Sequence, residues 1–138
     1  MQHPAYRRNS MSIQRLSLFA FVALAACGGS DSDPYQEAVS AANKKEAEAR
    51  VAGVTSPCAD TSQCGVLTFQ SPTPTCANWS YKPYSLVSPT AAAASAAAQE
   101  QNVLARQALI LAPPSNIGCP AVVPPVPVLT CAASTCGP

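Results

Sequence analysis

Leu16–Cys27, LSLFAFVALAAC, is the stretch whose reading decides how the rest of the chain can fold, because it settles which cysteines are left to build with. Arg15 precedes it, and small residues close it. The apolar run Leu16–Ala26 is far shorter than the ~20 residues a helix needs to cross a bilayer. A cationic residue, a short apolar run and a small-residue exit are instead the pattern of an export signal. The pattern is cleanest from Met11, with Met11–Arg15 as its cationic part and Leu16–Leu24 as its apolar part. Residues 1–10 therefore read as an extension upstream of the natural start.

Leu24-Ala25-Ala26-Cys27 resembles the lipobox of bacterial lipoproteins: a branched apolar residue, two small residues and a cysteine. The resemblance implies that residues 1–26 are a signal peptide cut before Cys27. It also implies that Cys27 carries the lipid and that the mature chain is held to a membrane by it. Gly28 follows the cysteine where an aspartate would favour retention at the inner membrane, so the same resemblance points to the outer membrane. The rival reading is an ordinary secretory signal cut near Ala26. Residues 27–33 then form the lipidated cysteine and a flexible Gly/Ser/Asp tether.

The cut has three consequences. Arg7, Arg8 and Arg15 leave, which turns the formal charge from +1 to −2 and removes any electrostatic reason to expect nucleic acid as a partner. His3, the only histidine, leaves too, and with it every His-dependent catalytic arrangement. Of 7 cysteines, Cys27 is spent, leaving the even set Cys58, Cys64, Cys76, Cys119, Cys131 and Cys136. In an exported chain an even set reads as disulfides. Zinc is the rival, but it favours close C-x-x-C pairs and histidine help, both absent here. No metal or cofactor is expected, no thiol is left over for catalysis, and no C-x-x-C redox pair exists. Asp60 and Glu100 are the acids inside the cysteine-framed region, and nothing in their spacing links them, so they read as surface solvation. The chain reads as non-catalytic.

The intervals between cysteines suggest a pairing. Cys64 to Cys76 and Cys119 to Cys131 are equally spaced, and the outer intervals, Cys58 to Cys64 and Cys131 to Cys136, differ by one residue. Two antiparallel arms would pair Cys76 with Cys119, Cys64 with Cys131 and Cys58 with Cys136, a bulge absorbing the mismatch. This nested frame is one of many connectivities six cysteines allow.

Local signals fill in the elements. Asp33-Pro34-Tyr35-Gln36 is a helix start: a capping aspartate followed by proline at the first helical position. The alanine-rich segment after it carries its acids early and its bases late, with Glu46 and Arg50 one turn apart. Its apolar face, Tyr35, Ala38, Val39, Ala42, Ala49 and Ala52, is weak, so residues 34–56 read as a surface or stalk helix ended near Gly53 and Pro57. Residues 57–138 read as a separate six-cysteine domain. Gly65–Gln70 and Asn78–Tyr81 are short strands around the turn-rich Ser71–Pro74, and Pro83 marks an edge or a break. Ser88-Pro89 opens a second helix to about Leu111, stopped by Pro113-Pro114. Val103, Leu104, Ile110 and Leu111, with Ala96, Ala97 and Ala108, form its expected covering stripe. The proline-broken end has an expected strand at Val126–Cys131. With 14 prolines and 6% aromatic residues the core must be thin, and a thin core needs staples. The fold class is α+β: a short antiparallel sheet with one covering helix, disulfide-stapled and preceded by a separate N-terminal helix.

The layout from Cys58 to Cys136 (two cysteines, a strand, a third, an aromatic run, a helix, three more) resembles small six-cysteine envelope proteins of proteobacteria. That group implies an architecture and no activity. Phe69, Trp79, Tyr81 and Tyr84 are the aromatic concentration. Core is the preferred reading for them, since a small domain has little else large enough; a recognition patch for glycan or peptide is the alternative. Asn78-Trp79-Ser80 fits a glycosylation pattern that a bacterial lipoprotein would rarely use. The expectation is a lipid-anchored, non-catalytic structural protein of the cell envelope with an unidentified envelope partner. The alternative is an extracytoplasmic binding or inhibitor module whose rigid loops, such as Ser71–Thr75, meet a protein or glycan.

Overall fold

The computed structural model describes residues 33–75, 78–115, 118 and 124–138. Helix α1 spans Pro34–Ala52, strand β1 Cys64–Gln70, strand β2 Trp79–Ser85, helix α2 Ala91–Leu111, strand β3 Thr130–Ala132 and strand β4 Thr135–Gly137. β1 and β2 pair antiparallel, and so do β3 and β4, giving two two-stranded sheets among the described residues. The α+β class read from the sequence is the class observed. The export signal, the lipobox and the tether up to residue 32 lie outside the described residues; Asp33, the last tether residue, is described. Among the described residues no helix is long and apolar enough to cross a membrane.

Helix α1 starts as its sequence dictates. The Asp33 carboxylate accepts from the Tyr35 N–H at 3.0 Å, and Pro34 occupies the first turn, where a missing donor costs nothing. Its end is set by space. A Cβ at Gly53 would lie 2.7 Å from Leu67 Cδ1 and 3.0 Å from the Ala49 carbonyl oxygen, so glycine lets the chain turn directly over the sheet.

Where the sequence marks α1 as a surface or stalk element, the structure folds it into the domain. Ala42 and Ala49 are fully buried, and Ala49 joins Leu67, Phe69, Tyr84, Ala94 and Ala98 in one core. The two helices lie alongside each other in opposite directions. Thr90 Oγ1, at the start of α2, donates to the Ala52 carbonyl at the end of α1, and Lys45 pairs with Glu100 at 3.0 Å farther along. Hydrogen bonds to Glu48 and Glu100 hold the Lys45 ammonium above its ordinary pKa of 10.5.

The covering face of α2 shares the buried Ala108 and the partly buried Ala97 with the expected stripe but not its branched residues. Ala94, Ala98, Gln101, Ala105 and Ala108 are buried, recurring every three or four residues. Val103, Ile110 and Leu111 are exposed instead, Ile110 at 82%. Small residues on both helices allow a close approach that branched side chains would prevent, so alanine wins the interface and the larger residues turn outward. The helix also begins later than the Ser88-Pro89 signal implies. Ser88 Oγ accepts from the Thr90 N–H in a turn, and the helix opens at Ala91.

The main sheet has one face toward the helices. Gly65, Leu67 and Phe69 of β1 stand opposite Tyr84, Lys82 and Ser80 of β2 on that face. The Tyr84 ring lies over Gly65, where a Cβ would meet ring carbon Cε1 at 2.8 Å. Pro83 sits within β2, not at a break, opposite Val66 in a two-stranded sheet whose edges tolerate its missing donor. The strand expected at Val126–Cys131 begins instead at Thr130 and folds straight back.

The disulfide pairing is corrected. The bonds are Cys58–Cys131 and Cys64–Cys136, with Cα separations of 6.1 and 5.5 Å, in place of Cys58–Cys136 and Cys64–Cys131. Cys76 and Cys119 lie outside the described residues. The nested scheme required the C-terminal arm to run as one strand of a long ladder. That arm closes on itself, so Cys131 and Cys136 face each other across the β3–β4 hairpin. Side chains of a directly paired couple leave the same face of a ladder, and both bonds therefore reach the Cys58–Cys64 segment together. Backbone bonds secure the same junction, from the Cys58 N–H to the Ser134 carbonyl and from the Cys136 N–H to the Thr55 carbonyl at 2.8 Å.

Candidate functional site

A cleft of about 400 Å³ opens where the β1–β2 turn meets α1. Its wall on the helix side is Asn43 and Glu46, one turn apart on exposed and half-buried positions of α1. Phe69 and Gln70 from the end of β1, Ser71, Pro72 and Thr73 after it, and Trp79 and Ser80 from the start of β2 make up the rest of the lining. The volume falls in the range of small-molecule sites, roughly 300–1,000 Å³.

Charge inside the cleft is internally matched. Glu46 Oε1 accepts from Arg50 Nε at 2.8 Å and pairs with Nη2 at 2.7 Å. The same guanidinium donates through Nη2 to Ser80 Oγ at 3.0 Å and stacks over the Phe69 ring, 4.6 Å from its centroid. One arginine thus ties helix, strand and core ring together, and its positive charge is committed.

The turn at the mouth is held by its own hydroxyls. Ser71 Oγ accepts from the Thr73 N–H at 3.3 Å and from Thr75 Oγ1 at 3.3 Å, while donating to the Thr73 carbonyl at 3.0 Å. Pro72 is buried, and the Ser71 N–H closes the hairpin onto the Asn78 carbonyl. Gln70 is fixed by α2. Its N–H donates to Asn102 Oδ1, its carbonyl accepts from Gln101 Nε2 and its side-chain oxygen accepts from Arg106 Nε. Asn102 Nδ2 also donates to the Thr68 carbonyl, so two adjacent amides occupy the outer edge of β1. The buried Gln101 Oε1 has no partner among the described residues, because turning the amide would set oxygen against the Gln70 carbonyl.

Phe69 and Tyr84, read as core, are core, at 1% and 8% exposure. Trp79 and Tyr81 are half-buried. Trp79 lines the cleft, and the Tyr81 hydroxyl donates to the Pro124 carbonyl at 2.9 Å. The four aromatics therefore do not form one patch. In the register, Trp79 and Tyr81 stand on the sheet face opposite Phe69. Cys58 and Cys64 with Cys131 bring their sulfurs within 4.8 Å of one another, yet each is consumed in a disulfide, and only thiolates serve as metal ligands. Cys27, Leu24, Ala25, Ala26, Cys76 and Cys119 lie outside the described residues.

Asp60 caps the 3-10 turn Thr61–Gln63, and hydrogen bonds from Ser62 hold its carboxyl below the usual range. Glu100 is the ion-pair partner of Lys45. Neither lines the cleft. A second, shallower hollow of about 640 Å³ lies on the outer side of α1 around Val51, Ala47 and Lys44. The sequence revealed the Glu46–Arg50 pair and the Ser71–Thr75 turn, but no local signal joins Asn43 or Gln70 to them, since their meeting depends on how α1 folds back. Compared with known proteins, the chain matches no family model, no curated protein and no solved structure.

Proposed function

We propose that the chain is a lipid-anchored protein of a bacterial cell envelope whose disulfide-stapled domain is non-catalytic and stands off the membrane on residues 27–33. The observation that carries this reading is the pair of disulfides joining two short segments distant in sequence. Such bonds persist in oxidising compartments outside the cytosol. The core they support is built largely from alanine around Leu67, Phe69 and Tyr84, which fits a domain dependent on covalent staples. The lipobox-like Leu24–Cys27 supplies the address.

Intact mass of the protein from a membrane fraction, before and after reduction, tests this reading. The expected species begins at Cys27, carries acyl chains and gains two hydrogens per bridge on reduction. A soluble chain that retains residues 1–26 with reduced cysteines would overturn it.

The cleft favours a second reading, an extracytoplasmic binding module. The described residues at its mouth, Ser71, Thr73 and Thr75, are hydrogen-bonded to one another and its charges are matched, which suits a preorganised site. A stoichiometric envelope partner recovered with the wild-type chain and lost on altering Asn43 would support that reading over a purely structural role.

A further inference from the structure

We propose that the end of the domain shared by the first turn of α1 and the last turn of α2 rests on the surface of the bilayer, with Ile110 and Leu111 against the acyl boundary of zwitterionic phospholipid. The proposal rests on the lipid-anchor reading of Cys27 and goes beyond it by naming the surface that the anchor holds to the membrane.

Exposed apolar side chains mark both ends of the helix pair. At one end Ile110 is 82% exposed and Leu111 49%, with exposed Pro113 and Pro114 just beyond them. At the other lie Val51 at 81%, Val54, Leu86 and Val87. The antiparallel arrangement of the helices fixes which end meets the tether. Thr90 bonds to Ala52, and Lys45 pairs with Glu100. Ten residues onward from that ion pair along α2, and ten back along α1, are Ile110 and Tyr35, a rise of about 15 Å in each helix. Ile110 therefore shares its end of the domain with Asp33 and Pro34, where the tether enters α1.

The tether decides between the two ends. Residues 27–33 reach at most about 20 Å fully extended and roughly 12–15 Å as a flexible chain. Helix α1, 19 residues long, covers about 28 Å. Turning the Val51 and Val87 end toward the bilayer would ask the tether to span the length of α1, more than its full reach. The Ile110 end meets no such limit. Apolar side chains there can leave water for the upper acyl region, the ~5–10 Å depth at which interfacial segments settle. Tyr35, half-buried in the first turn of α1, is of a residue type enriched at membrane interfaces. The charges nearest that end are the exposed acids Asp33 and Glu37 and the base Arg106, which donates to Gln70 Oε1. The described residues there form no basic cluster to draw anionic headgroups, so the contact is apolar.

The test uses the full chain extracted from membranes, checked by intact mass for acyl groups and reconstituted into phosphatidylcholine vesicles with or without bromine on the upper acyl carbons. Every chain carries Trp79→Phe, which removes the only native tryptophan. Ile110→Trp sets a fluorescent probe at the proposed contact, and Val87→Trp sets one at the opposite end. The Ile110→Trp emission is expected to shift to the blue on reconstitution and to be quenched by bromine, with the Val87→Trp emission unchanged. A third chain, Leu111→Trp, should behave like the first. Adding Ile110→Lys to it should weaken the quenching by about twofold or more and leave the circular dichroism unchanged, since that face of α2 is open. An acylated chain that floats with the vesicles yet shows no quenching at position 110 would overturn the proposal and leave the anchor standing. Equal quenching at positions 87 and 110, or quenching that Ile110→Lys does not weaken, would do the same. A chain that carries no acyl group and does not float would overturn the anchor and the proposal together.

Discussion

Two positions show how much single residues decide in so small a core. Gly53 is constrained by the side chains beneath it: its missing Cβ is the space that Leu67 fills. Gly53→Ala should destabilise the domain by about 1–3 kcal/mol through overpacking, read as a lower denaturant midpoint with an unchanged slope. Ala133 and Ser134 occupy the β3–β4 turn with φ of 49° and 59°, a left-handed pair of the kind that favours asparagine followed by glycine. The double variant A133N/S134G, which supplies that dipeptide, should raise stability by about 1 kcal/mol, measured by the same denaturation curve. This hairpin was illegible in the sequence because Ala-Ser carries no turn signal, whereas Asp33-Pro34 at the head of α1 announced itself. The residues that form a turn against their own preference are the ones bracketed by Cys131 and Cys136, whose bonds hold the hairpin to the Cys58–Cys64 segment.

Among the elements, the strands of the main sheet and the existence of both helices were legible, and the faces of the helices were not. Hydrophobic periodicity weights large side chains, and this helix pair is packed with small ones: Ala42 and Ala49 on α1, Ala94, Ala98, Ala105 and Ala108 on α2. Of the expected stripe, Ala97 and Ala108 lie on the covering side, while the bulky Val103 and Ile110 face outward. The amides gave no signal either, although Gln101 and Asn102 are what seat α2 on the sheet. Asn102→Ala removes both of its bonds to the β1 backbone, leaving the Gln70 N–H and the Thr68 carbonyl without those partners. It should cost about 1–3 kcal/mol and raise amide exchange at Gln70 ahead of the sheet interior. Ile110→Lys, on the open face of α2, should change stability by no more than about 0.5 kcal/mol. The cleft was only partly legible for the same reason. Its turn and its ion pair are local, but Asn43 comes to the cleft through a helix packing that alanines specify quietly.

At the scale of the molecule, covalent closure complements a modest core. Each bond spans more than seventy positions, with separations of 73 and 72. Either one alone closes the long loop; once it is formed, the other adds only a ring of about a dozen residues. Chain-entropy reasoning therefore predicts that losing one bond costs about 3 kcal/mol, whichever it is, and losing both costs about 7 kcal/mol. Paired Cys→Ala variants, C58A/C131A and C64A/C136A, and the fourfold variant test this by equilibrium denaturation. The even cysteine set was plain from composition, while the partners were not, because spacing symmetry assumed an extended arm where the chain makes a tight hairpin. The most direct test of the account is a disulfide map of the protein under non-reducing conditions, cut with Asp-N before Asp60 and with elastase within the Ala132–Ser134 turn. It should yield one fragment joining Cys58 to Cys131 and another joining Cys64 to Cys136. Fragments joining Cys58 to Cys136 and Cys64 to Cys131, or free thiols at these four positions, would contradict it.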